Sequence, residues 1–183
     1  MAQSKSLEGT KTQANLMAAF AGESQARNKY TYYASKARKE GYQQIGEIFD
    51  LTAANEKEHA EIWFKLLHDG EIPDTQKNLA DGVEGEHYEW TEMYAQFAQE
   101  AKEEGFDRIA FLFEGVGKIE KEHEERYAKL LEAVKNGTVF KKGAQTVWVC
   151  RNCGHIHIGA QPPEICPVCS HKQAYFEVKA ENY

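Results

Sequence analysis

Cysteine is absent from the first 149 residues of this 183-residue chain, and proline is absent from residues 1–72 and 74–161. Thiol chemistry is therefore excluded from most of the chain. A proline-free stretch of that length can run as long uninterrupted helices, because proline is the residue that breaks them. No run approaches the roughly 18 consecutive apolar residues that a membrane-spanning helix needs. The opening MAQSKSLEGTK lacks the apolar stretch of a secretory signal, so a cytoplasmic protein with no membrane association is expected. Basic charge is also short, with 22 Lys and Arg against 29 Asp and Glu, a net charge of -7. A nucleic-acid binder usually carries a basic surplus, so nucleic acid is not an expected partner.

What is present is a soluble globular composition: 42% hydrophobic, 28% charged, mean hydropathy -0.67. A chain of this length makes one domain, or one with a small appendage. All four cysteines lie between Cys150 and Cys169, beside Pro162, Pro163 and Pro167. The segregation predicts a helical body over 1–137, a short linker over 138–144 and a proline-stiffened module over 145–183.

Glycines punctuate the body. Helices are expected over about 12–40, 42–69, 86–104 and 106–136, ending at Gly41, Gly70, Gly105 and Gly137. Residues 70–85 read as a longer connection. Apolar residues recur at three- and four-residue steps, as in Ile45, Ile48, Phe49 and Ala53, or Ile109, Leu112, Phe113 and Val116. Residues 37–67 and 101–131 match at 13 of 31 positions at an offset of 64, including the run Glu-Lys-Glu-His at 56–59 and 120–123. Shared helical composition explains scattered matches but not that run. The body reads as a duplicated helical hairpin, hence a four-helix bundle with approximate twofold symmetry.

The repeat places Glu56-x-x-His59 and Glu120-x-x-His123 at matching positions. Residues three apart share a helix face, so both side chains of each pair can reach one point. A third instance, Glu84-x-x-His87, has no counterpart and reads as solvent-facing chemistry near a helix start. The other helices should add carboxylates. Glu23 follows the nearly apolar stretch 16–22, where an unpaired charge is costly. Glu89 and Glu92 are flanked by aromatics on the third helix. Aligning Glu23 with Glu89 puts Glu92 opposite Ala26, one carboxylate more than the first helix has. That predicts a metal exchanging His59 for Glu92 between redox states. Five carboxylates and two imidazoles, from Glu23, Glu56, His59, Glu89, Glu92, Glu120 and His123, cannot gather without cations. Oxygen donors plus imidazole suit iron or manganese. Tyr30, Trp90, Tyr94 and Tyr127 lie nearby in sequence. They serve core packing, or, for Tyr30 and Tyr94, a hydrogen bond to a ligand carboxylate.

The tail carries Cys150-x2-Cys153-x12-Cys166-x2-Cys169, two knuckles suited to four thiolates around one metal, with zinc and iron both open. Gly154 is placed to turn its backbone N–H toward a sulfur. Residues 146–149 and 175–178 read as short strands.

Together these motifs resemble the rubrerythrin family over essentially the full chain. The carrying features are Ala-Phe-Ala-Gly-Glu-Ser-Gln-Ala-Arg-Asn at 19–28, both Glu-x-x-His helices, Glu-Trp-Thr-Glu at 89–92 and the rubredoxin-like four-cysteine tail. The resemblance implies a mainly α fold, a ferritin-like four-helix bundle followed by a small β-rich rubredoxin-like module. It implies three iron ions per chain: two on Glu23, Glu56, His59, Glu89, Glu92, Glu120 and His123, and one on Cys150, Cys153, Cys166 and Cys169. The implied activity is reduction of hydrogen peroxide to water, with electrons relayed through the tail and protection against oxidative stress as the role. Implied partners are a rubredoxin or an NAD(P)H-dependent reductase, and a second copy in a homodimer or higher homo-oligomer. A ferroxidase or iron-handling protein is the alternative, although storage needs no dedicated electron inlet.

Overall fold

The structure is a computed structural model that describes residues 6–182. The chain divides at Pro73 into two compact units, 1–73 and 74–183. The first is a hairpin of α1 (Lys11–Lys39) and α2 (Gln43–Leu67). The second begins with α3 (Thr75–Tyr88), a π-helical turn (Glu89–Met93) and α4 (Tyr94–Glu103), which together make one long helix. α5 (Asp107–Lys135) returns against it. The tail follows as β1 (Thr146–Cys150), β2 (Ile156–Gly159) and β3 (Phe176–Val178). The fold is mainly α: four long helices of ferritin-like type, then a small rubredoxin-like sheet. Among the described residues, no helix is long and apolar enough to cross a membrane.

The two hairpins close by the same means. Ala34, Ala37 and Gly46 are buried in the first, and Ala98, Ala101 and Ala110 occupy the matching positions in the second. Small side chains let the helix backbones approach. Above them Tyr33 meets Phe49 at 5.5 Å between ring centroids, and Phe97 meets Phe113 at 5.7 Å. Gly41 (φ 89) and Gly105 (φ 83) turn the chain in the left-handed region that glycine alone enters cheaply. Of the apolar stripe expected to face a core, only part is covered. Ile45, Ile48 and Leu66, with their counterparts Ile109, Leu112 and Leu130, remain 44–56% exposed. One helix pair covers only one flank of each helix.

The third helix starts earlier than glycine punctuation suggested, at Thr75 rather than near Glu86. Asp74 caps it, its carboxylate accepting the Lys77 N–H at 3.0 Å. Gly82 lies inside it without breaking it, because the Tyr127 ring fills the space where a side chain would stand, 3.1 Å from an added Cβ. Glu84 and His87 are therefore mid-helix, not at a helix start.

The π-helical turn follows from arithmetic in the repeat. Downstream of it the hairpins match at an offset of 64, as in Tyr30 and Tyr94, or Ala34 and Ala98. Upstream they match at 63, as in Gly22 and Gly85, or Glu23 and Glu86. The second hairpin carries one extra residue. Seven residues of α-helix turn about 700°, nearly two full turns, so Glu23 and Tyr30 share a face. Eight residues separate Glu86 from Tyr94 and would overshoot by about 80° in a regular helix. The wider π turn absorbs the surplus and keeps both on the face toward α5.

In the tail the strand order is β2-β1-β3, all antiparallel. Its core is Trp148, Cys150, Cys166 and Phe176, with Phe140 and Cys169 packed against it. The Trp148 indole N–H donates to the Gly159 carbonyl at 3.0 Å.

Candidate metal centres

Each hairpin gathers two carboxylates and one imidazole. On the first, Glu23 comes from α1, and Glu56 and His59 from one face of α2. Nδ1 of His59 stands 3.1 Å from Glu56 and 3.8 Å from Glu23. On the second, Glu86 comes from α3, and Glu120 and His123 from α5. Nδ1 of His123 stands 2.8 Å from Glu120 and 3.5 Å from Glu86. In each trio the potential ligand atoms lie within 4.8 Å of one another. The same geometry, built twice from a duplicated sequence, is what the internal repeat predicts.

Within each trio the carboxylates crowd one another. Glu23 holds its proton above the usual carboxyl range, chiefly through its hydrogen bond with Glu56, then through burial and the Glu56 charge. Glu56 is correspondingly lowered by accepting that bond. Glu86 is raised by burial first, and by the Glu120 and Glu89 charges. A divalent ion relieves such crowding, and two oxygens plus a nitrogen form a donor set suited to iron. The residues therefore fit the group that the ferritin-like arrangement implies.

Of the seven residues expected at this centre, the structure brings Glu23, Glu56 and His59 together in one trio, and Glu120 and His123 together in the other. The carboxylate that joins Glu120 and His123 is Glu86, which the sequence reading left out. Glu89 lies outside the trio but close to it, half-buried, with its charge felt by Glu86 and Tyr94. Glu92 is exposed and belongs to neither trio. The physical reason is the π turn. Aligning Glu23 with Glu89 assumed a regular helix, whereas the inserted residue moves the equivalent position to Glu86 and the additional carboxylate to Glu89. The shift from offset 64 to 63 was the signal that could have found it.

Tyr94 lines the same side. Its hydroxyl is kept protonated by burial first, then by the charges of Glu89, Glu120 and Glu86. His87, expected to face solvent, is exposed and also pairs with Glu124 at 3.0 Å. Glu124 also accepts the Trp90 indole N–H.

The tail places four sulfurs within 4.8 Å of one another. Cys150 and Cys169 are 3.7 Å apart, as are Cys153 and Cys166. A disulfide would need about 2.05 Å. A tetrahedron with metal–sulfur bonds of about 2.3 Å has edges of about 3.8 Å, which these separations match. The two knuckles are copies in three dimensions. The Gly154 N–H donates to the Cys150 carbonyl at 2.8 Å, and the Ser170 N–H to the Cys166 carbonyl at 2.9 Å. Both turns use positive φ, 77° at Gly154 and 60° at Ser170. Gly154 thus does not offer its own N–H to a sulfur. It turns the chain so that His155 offers its N–H to Cys153, as His171 does to Cys169. The His171 N–H lowers the Cys169 thiol to about 6. At Cys153 the His155 N–H acts in the same direction, but desolvation and the other three sulfurs prevail and push the thiol up to about 12. The cluster thus shares protons that a metal ion would displace.

The comparisons with known proteins agree with this inventory. A family profile described as rubrerythrin matches residues 14–131, and one described as the rubrerythrin rubredoxin-like domain matches residues 148–177. Rubrerythrin-1 of Clostridium acetobutylicum is 47% identical, with 98% of this chain and 100% of that protein covered. Rubrerythrin of Porphyromonas gingivalis is 46% identical over 98% of this chain and 95% of that protein. Rubrerythrin of Nitratidesulfovibrio vulgaris is 44% identical over 98% and 100% respectively. With two Glu/Glu/His trios, a four-sulfur cluster and relatives matched nearly end to end, the chain belongs to the rubrerythrin family, known for di-iron and rubredoxin-like iron centres.

Proposed function

We propose that this iron-dependent oxidoreductase reduces hydrogen peroxide to water. The observation that carries the reading is the coexistence, in one chain, of two equivalent oxygen-and-nitrogen trios and one tetrathiolate cluster. Glu23, Glu56 and His59 would hold one iron; Glu86, Glu120 and His123, with Glu89 beside them, would hold another; the four cysteines would hold a third. When bound, the pair of irons supplies the two electrons that peroxide cleavage consumes, and the cysteine-held iron returns electrons singly.

The chain's own residues supply the rest. Reduction of hydrogen peroxide to two waters takes up two protons as well as two electrons. Burial and three carboxylates keep the proton on the Tyr94 hydroxyl beside the second trio, so it serves there as a hydrogen-bond donor and not as the source of those protons. In each trio Nδ1 is the ring nitrogen that faces both carboxylates, so it is the nitrogen that would ligate beside them. The His155 and His171 N–H groups stabilise negative charge on Cys153 and Cys169, which favours taking up an electron at that cluster. The electron donor is a small redox protein such as a rubredoxin, or an NAD(P)H-dependent reductase. The cytoplasm is the proposed location.

The test is turnover by the iron-loaded full chain under anaerobic conditions with a reductase and NADH. Consumption of peroxide that is lost when zinc replaces the cysteine-held iron is the expected result. An iron-loaded protein that oxidises and stores ferrous iron but consumes no peroxide would overturn it in favour of the iron-handling reading.

A further inference from the structure

Glu124 is not in either trio, yet it ties together the immediate neighbours of three residues that matter there. It follows His123 on α5. Its carboxylate accepts the Trp90 indole N–H and lies 3.0 Å from Nδ1 of His87. His87 follows Glu86, and Trp90 follows Glu89. The His87 and Trp90 rings meet edge-on at 5.7 Å, and the Lys121 ammonium sits 5.4 Å over the Trp90 ring. The group spans both helices at the point where the inserted residue is absorbed.

The first hairpin has no such group. The positions equivalent to His87, Trp90 and Glu124 are Ser24, Arg27 and Ala60. Ser24 spends its hydroxyl on the Phe20 carbonyl of its own helix, and Ala60 is buried. The clasp occurs only where there is a π turn to hold. Such a turn is a rare geometry, and relaxing it to α-helical form rotates one side about 100° against the other. That would carry Glu89 away from Glu86, or both away from α5.

We propose that Glu124 is a positioning residue, accepting hydrogen bonds from Trp90 and His87 to lock the π-helical turn, so that Glu86 and Glu89 stay presented beside Glu120 and His123. The inference rests on the metal reading above for its consequence, but not for the clasp itself.

The experiment uses the full chain with Glu124→Ala, Glu124→Gln and Trp90→Phe. Amide hydrogen exchange over residues 86–94 is measured metal-free, and cobalt(II) affinity is measured by titration. Glu124→Ala is expected to speed exchange in that segment by at least about tenfold and to weaken one oxygen-and-nitrogen site by about 10- to 100-fold, leaving the other such site and the thiolate site intact. Glu124→Gln keeps an acceptor for Trp90 and should stay within about threefold of the parent. Trp90→Phe should fall between them. Unchanged exchange and affinity in Glu124→Ala would overturn the proposal, and so would equal weakening of both oxygen-and-nitrogen sites, which is what a general loss of structure produces. Should the parent chain bind no cobalt at either trio, the metal reading fails, and exchange alone decides the clasp.

Discussion

Glu89 and Glu92 differ by three positions and by everything that matters to their use. Glu89 is half-buried beside Glu86, whereas Glu92 is exposed and outside both trios. Glu92→Gln should therefore leave peroxide turnover within about twofold, while Glu89→Gln should lower it by about tenfold or more. Steady-state assays of the two variants at matched iron content decide the point, and a larger loss in Glu92→Gln would restore the alignment that the structure displaces. The same comparison shows what was legible in single residues. Glu56, His59, Glu120 and His123 declare themselves by spacing, and Glu23 by being the one charge after an apolar run. The cysteines need nothing beyond their knuckles. Glu86 was hidden because its neighbours include two other glutamates at workable spacing, and only the backbone geometry selects among them.

Helix packing fixes the next level. The hairpins match in turn glycine, in the small residues beside the turn and in stacked aromatics, and differ at Gly46, whose counterpart is Ala110. A Cβ added at Gly46 would sit 2.8 Å from Cγ of Arg38 and 3.2 Å from the Ala34 carbonyl oxygen. The Arg38 stem is held there by its ion pair with Asp50. Gly46→Ala gains up to about 1 kcal/mol in helix propensity but loses about 1–3 kcal/mol to overpacking, so a net loss of about 1 kcal/mol is expected. Urea unfolding measures it; a variant more stable than the parent would mean that Arg38 moves aside freely. Helix existence and the duplication were legible from periodicity and the 64-residue offset. The early start of α3 was not, because Gly82 and Gly85 read as loop until the Tyr127 ring is seen filling the gap at Gly82. Nor was the π turn, whose only trace in the sequence is a one-residue slip in the repeat.

For the molecule as a whole, the prediction is a division of labour. Removing one thiolate should stop electron delivery without removing the residues that meet peroxide. Cys150→Ser, loaded and chemically pre-reduced, is expected to complete one turnover at close to the parent rate in stopped flow and then stall, because re-reduction is lost. Loss of that first turnover would sink the division. At this scale the sequence carried most of the answer: an acidic helical body, a cysteine-bearing tail and a family resemblance resting on several separate motifs. The uncovered apolar residues of each hairpin were not legible, since periodicity shows that a face is apolar and not what covers it. One further property follows from the placement of the three tryptophans. Trp63 lies against Glu23, Trp90 is bonded to Glu124 beside the second trio, and Trp148 is buried with Cys150 in the tail. Each cluster has a tryptophan beside it. Three single-tryptophan variants would therefore turn quenching by an incoming metal into an optical record read from beside each cluster in turn.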